Sequence, residues 1–251
     1  MKRLYQFMNA TLRPVRHPLR HLAQHLTARA TVTAITALIA VTACPGAPAH
    51  AGAWPREKGT GFLSVSTYVS GTSINGPYAL YTSTYGEYGL GRTLTLGVDI
   101  GHGVSGKSKA IVFLRAPLRE PAPGHLIAAE LGFGQIAGEL VLRPGRSYGH
   151  GFSRKNGRSG WISIEAVSEH RLTTSQVDYK ADFTFGLTHS DRFKTILQLQ
   201  TGKSHRDPFF ARLAPSMVMR VTPTMHVELG VTAGLTGDDS YGVKFGFWRD
   251  F

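Results

Sequence analysis

The chain has 251 residues, 42% of them apolar, enough to bury one sizeable core or close one barrel, and no shift in composition marks a second domain. Its formal charge of +12 would suit a polyanionic partner, but residues 1–51 hold Lys2, Arg3, Arg13, Arg16, Arg20 and Arg29 and no acidic residue, leaving 22 of the 28 basic residues against all 16 acidic ones. Half of the excess belongs to the amino-terminal segment, so net charge gives no case for a nucleic-acid-binding body.

That segment, 1–51, reads as a cleaved secretory signal peptide. It has a basic start, an apolar run from Thr31 to Ala43, then Pro45, Gly46, Pro48 and the small-x-small site Ala49-His50-Ala51 before Gly52. The run is shorter than the ~20 apolar residues a spanning helix needs. Met8 is an alternative start. The lack of acids also fits a mitochondrial presequence, but a compact apolar run followed by Ala-x-Ala favours secretion. Cys44 is the sole cysteine, and Val41-Thr42-Ala43-Cys44 resembles the lipobox of bacterial lipoproteins, an alternative processing point. Cleavage after Ala51 leaves no cysteine, which excludes disulfides and thiol chemistry.

From Trp54 onward the apolar pattern has period two, in segments of about ten residues punctuated by Gly, Pro, Asn and Asp, without a convincing helical stretch. The expected strands are 61–70 (Leu63, Val65 and Val69 outward), 79–89 and 93–103, where Leu94, Leu96, Val98 and Ile100 alternate with Thr95, Gly97, Asp99 and Gly101. Next come 109–117 (Val112 and Leu114 outward, Arg115 inward), 126–136 (Leu131 and Phe133 outward, Glu130 inward), 139–150 and 160–170 (Ile162 and Ile164 outward, Glu165 inward). In 175–188, Val177, Tyr179, Ala181, Phe183, Phe185 and Leu187 form one wall and Asp178, Lys180, Asp182 and Thr184 the other. The last four are 193–203, 211–222, 225–236 and 241–251, making twelve, with ten or fourteen as alternatives around 134–159. Residues 118–125 and 151–159 look longer than tight turns. Opposing Val221 to Val227 across the Pro223 turn would set Arg220 opposite Glu228, within ion-pair reach.

At the carboxyl terminus Tyr241, Val243, Phe245, Phe247 and Phe251 alternate with Gly242, Lys244, Gly246 and Asp250. An exposed aromatic strand is an edge that invites aggregation, and a closed barrel removes it. This terminus resembles the last strand of Gram-negative outer-membrane β-barrel proteins, apart from Arg249 at an outward position. The resemblance implies an all-β, closed antiparallel transmembrane barrel in the cell outer membrane, with these five residues as the signal read by the barrel-assembly machinery, surrounded by lipid and lipopolysaccharide and most simply monomeric.

The expected inward positions include Asp99, Arg115, Glu130, Glu165, Asp178, Lys180, Asp182, Arg220, Glu228 and Lys244, nearly balanced in sign. Twelve strands fall between the filled eight-stranded and the open sixteen-stranded barrel, so the filling decides. The leading expectation is a narrow channel for passive passage of small polar solutes, with no cofactor. The alternatives are a closed-lumen structural or accessory barrel and, third, a lipid-modifying enzyme. Inward glycines such as Gly97, Gly101, Gly132 and Gly230 either widen the bore or let aromatic rings lie flat. The best hydrolytic set, Ser216, His226 and Glu228, fails on strand spacing, and no histidine group has metal-ligand spacing. Residues 103–109 faintly echo a phosphate loop but open no helix, and read better as an outer loop whose lysines meet lipopolysaccharide. The basic stretch 143–158 lacks a recognition helix, so no nucleic-acid partner is expected. Trp54, Tyr88, Trp161, Phe193 and Trp248 read as interfacial aromatics.

Overall fold

A computed structural model describes residues 52–251 except 74, 105, 107, 154–157 and 206. The signal peptide, the Cys44 motif and Met8 lie outside the described residues, as does Lys107. Among the described residues there is no helix. Twelve strands follow in order: β1 (Gly61–Gly71), β2 (Tyr78–Gly89), β3 (Thr95–Gly103), β4 (Ser108–Ala122), β5 (His125–Ile136), β6 (Glu139–Ser153), β7 (Ser159–Arg171), β8 (Val177–Thr188), β9 (Phe193–Lys203), β10 (Phe210–Arg220), β11 (Met225–Thr236) and β12 (Tyr241–Asp250). Each pairs antiparallel with its sequence neighbours, and β1 pairs with β12, so the sheet closes with no free edge.

Alternation sets what each face meets. Val112, Leu114, Leu131, Phe133, Leu229, Val231, Phe245 and Phe247 all project outward and stay exposed, Phe133 at 53% and Val231 at 54%. A band of large apolar side chains around a closed wall is at rest against hydrocarbon and not against water, so the strands span a membrane. The opposite face carries the buried charges, among them Glu87, Arg115, Arg143, Glu169 and Glu228.

Both chain ends of the barrel meet at one rim, called here the terminal rim. Phe251 closes it: its N–H donates to the Gly61 carbonyl at 3.0 Å and its carbonyl accepts from the Gly61 N–H at 2.6 Å. A β-carbon on Gly61 would lie 2.2 Å from the Phe251 ring, so the ring lies flat on a residue that only glycine can be. Connections at both rims are short, the longest being the six residues of 72–77 and of 204–209.

Three local expectations are corrected. Residues 118–125 are not a long turn: β4 continues to Ala122 through two register shifts, leaving Pro123 and Gly124, the latter at φ 77°, to reverse the chain. Bulges absorb the extra residues without breaking the wall. In the β10–β11 hairpin Met219 faces Val227, Arg220 faces His226 and Val218 faces Glu228, so the register is displaced by two residues and the expected Arg220–Glu228 pair is not formed. Pro223 has no N–H to give, and the turn spreads over 221–224, with Thr222 Oγ1 accepting from the Met225 N–H at 3.0 Å. A shift of two keeps every side chain on its face, unlike a shift of one. Finally, Trp161 and Trp248 are not interfacial aromatics but luminal, and Trp54 lies over Gly149 on the inner wall.

Candidate functional site

The lumen is built on β4, where Lys109, Ile111, Phe113 and Arg115 point inward at every second residue. The Phe113 ring, with no exposed surface, occupies the space over Gly97, whose β-carbon would fall 2.0 Å from Phe113 Cζ. Arg115 and Arg143 lie beside the same ring at 5.1 and 5.2 Å from its centroid. Tyr81 lies over Gly101 and Trp161 over Gly186 in the same way. Gly97, Gly101 and Gly186 therefore seat aromatic rings, whereas Gly132 abuts Ile111 and Gly230 abuts Ser216.

Around Phe113 runs a chain of ion pairs. Arg115, 3% exposed, donates from Nη1 to Glu87 Oε1 at 2.6 Å and to the Gly52 carbonyl at 2.7 Å, and from Nη2 to Glu130 Oε2 at 2.8 Å and Tyr85 Oη at 3.1 Å. Glu87 also accepts from Arg56 Nε at 2.7 Å and from Tyr85 Oη at 2.6 Å. Arg143 links Glu130, at 3.1 Å, to Asp99, at 2.6 Å, and Lys109 meets Asp99 at 2.7 Å. Such a network is stable only when each member is paired, because an unpaired charge in so dry a place is costly. Residues 52–58 complete it from the terminal rim: besides the Gly52 carbonyl, the Arg56 N–H donates to Thr95 Oγ1 at 3.0 Å, and Ala53 is buried.

The facing wall mixes charged side chains with amides and hydroxyls. Arg212 Nε donates to Gln200 Oε1 at 3.1 Å, Gln200 Nε2 to Gln198 Oε1 at 2.7 Å, and Gln198 reaches Thr184. On β11 and β12, Glu228 accepts from Ser216 Oγ and Lys244 Nζ at 2.7 Å each and from Trp248 Nε1 at 3.0 Å. Between the two walls lies a cavity of about 590 Å³.

Of the residues expected inward, Asp99, Arg115, Glu130, Glu165, Lys180, Asp182, Glu228 and Lys244 border this cavity. Lys180 pairs with Glu169 at 2.8 Å. Asp178 is buried nearer the opposite rim, held by Arg171 at 3.1 Å and by the His205 N–H at 2.9 Å. Arg220, at the terminal rim, stands opposite His226. Arg56, Tyr85, Lys109 and Phe113 also build the network, although they are not among the positions expected inward from the sequence. Lys109 stands where the expected outer loop 103–109 meets the expected strand 109–117, and its spacing of two, four and six residues from Ile111, Phe113 and Arg115 places it on the inner face. No periodic signal points to Arg56, which precedes the first strand.

The hydrolytic set is not assembled. Ser216 donates to Glu228 and stands opposite Gly230, four residues along β11 from His226, roughly 13 Å away. His226 instead has Asp250 at 3.9 Å. His125 stacks on His150 at 3.9 Å between ring centroids and shares a 2.7 Å hydrogen bond with Tyr148 on the outer face. Among the described residues no group of three His, Cys, Asp or Glu side chains could hold a metal ion.

A closed antiparallel barrel with an even strand count, an apolar outer band and a polar interior is the architecture of outer-membrane β-barrel proteins. Among solved structures it is similar to the KdgM porin in complex with disordered oligogalacturonate (TM-score 0.55, 8% identity, covering 75% of this chain and 99% of that one). It is also similar to the NanC porin (TM-score 0.54, 10% identity, covering 74% and 98%) and to the outer membrane protein Omp33 of Acinetobacter baumannii (TM-score 0.51, 9% identity, covering 77% and 99%). At these identities the likeness is one of fold. No protein-family model matches the sequence, and no curated protein does.

Proposed function

We propose that the protein is a channel of the Gram-negative outer membrane through which small polar solutes diffuse. The observation that carries this reading is the cavity of about 590 Å³ inside a wall whose outer face suits lipid, bordered by charged side chains of both signs and by Gln198, Gln200 and Thr184. Ion pairs of both signs border it, so the lumen offers hydrogen bonds without a strong field of one sign, which suits neutral or zwitterionic solutes better than polyanions. The porins of similar fold agree with such a role.

One observation favours a second reading, a closed barrel serving envelope structure: Arg115 is completely partnered and residues 52–58 enter the lumen from the terminal rim. Purified protein in planar bilayers separates the two. Discrete conductance steps that enlarge when Lys180, which borders the cavity, is replaced by Ala support a channel. Absence of steps in both proteins supports the closed barrel. Lipase or deacylase activity lost in Ser216→Ala would overturn both in favour of an enzyme.

A further inference from the structure

Among the described residues, two carboxylates bordering the cavity lack a close cation, Glu165 and Asp182. Glu87 has Arg56 and Arg115 at 2.7 and 2.6 Å, and Glu130 has Arg115 and Arg143 at 2.8 and 3.1 Å. Glu165 has only Arg115 Nη2, at 3.9 Å from its Oε2, and that guanidinium is already committed to Glu87 and Glu130. Across the ladder from Glu165 stands Asp182, a like charge on the same face, which makes the deficit worse. Two residues away Ser163 is 1% exposed, and its Oγ has no hydrogen-bond partner among the described residues.

Both groups converge on Gly52. A substituent on the Gly52 α-carbon in the β-carbon position would lie 3.3 Å from Glu165 Oε1, 3.3 Å from Ser163 Oγ and 3.0 Å from Ser163 Cβ. The α-nitrogen is bonded to that same carbon, while the Gly52 carbonyl is fixed by Arg115 at 2.7 Å.

We infer that Gly52 is the first residue of the mature chain and that its α-ammonium group is the missing cation, received by Glu165 and Ser163 inside the barrel. Hydrolysis of the Ala51–Gly52 bond by a leader peptidase adds one water. The carboxylate stays on the leader, and the liberated amine on Gly52 keeps the proton to become the ammonium. Three donors on that group satisfy the Oε1 of Glu165 and the orphaned hydroxyl of Ser163 together. Glycine is the residue that fits, since a side chain here would press on Ser163 Cβ. Processing thus supplies a charge to the lumen besides removing the leader, and fastens residues 52–58 across the terminal rim.

The test uses protein secreted from the full reading frame and extracted folded from the outer membrane. Its amino-terminal peptide, read by mass spectrometry, should begin at Gly52, and any other first residue overturns the proposal. Acetylation of the Gly52 amine at neutral pH, followed peptide by peptide, should be about tenfold or more slower in folded protein than in Glu165→Gln protein. Ser163→Ala should lose part of the same protection, and it serves alone if Glu165→Gln does not fold, as judged by heat-dependent gel mobility. Equal labelling rates in the wild type and the folded variants overturn the assignment.

Discussion

Arg115→Ala tests whether the luminal network is as dry as its geometry implies. The guanidinium is 3% exposed, the Glu87 and Glu130 side chains are 0% and 7% exposed, and every Arg115 contact to them is a direct hydrogen bond. Removing one partner of a buried ion pair costs about 3–5 kcal/mol, most of it from the charge left behind. Two contacts place this case at the lower end: Arg56 stays 2.7 Å from Glu87, and Arg143 stays 3.1 Å from Glu130. We expect a loss of about 3 kcal/mol. Replacing Glu130 by Gln in the same chain should recover part of it, because the stranded charge is then gone. The assay is a urea titration of protein folded into phospholipid vesicles, followed by tryptophan fluorescence and by gel mobility. A loss below about 1 kcal/mol, the size of an exposed pair, would refute the reasoning by showing that water screens the cluster.

Deleting Phe251 removes the two backbone hydrogen bonds to Gly61 and the ring that covers it, so the amount of protein inserted in the outer membrane should fall. Unchanged insertion would rule out a role for this residue in closing the barrel. Gly97→Ala places a methyl against the Phe113 ring and should cost about 1–3 kcal/mol in the same urea assay, with partial relief from a second change, Phe113→Leu. Lys180→Ala should raise unitary conductance in planar bilayers, because this side chain borders the cavity and is 40% exposed. An unaltered conductance would locate the narrowest point elsewhere.

The outer wall was legible in the sequence because hydrocarbon imposes one requirement at every second position: in β3 and β8, Val98, Ile100, Phe183 and Phe185 are apolar whatever their neighbours do. The interior follows no such rule. Whether Glu228 meets Arg220 or Lys244 depends on how far one strand slides past the next, and the turn at Pro223 moved that by two residues. Trp161 and Trp248 sit near strand ends, where an aromatic ring suits a lipid interface or a glycine-lined recess equally well. Only the opposed Gly186 distinguishes the two at Trp161, and it is seen only once β7 and β8 are in register. Arg56 lay beyond reach because it works from a segment with no periodicity.

In the circular strand order, eleven of the twelve interfaces join strands consecutive in sequence, and one, β1 with β12, joins the ends. Contact order is therefore low everywhere but at a single seam. Hairpins can zip one after another at little entropic cost, whereas the seam must bring together residues nearly the whole domain apart. The slow step of assembly falls there, and a catalyst of folding would have most to gain by holding those two strands side by side.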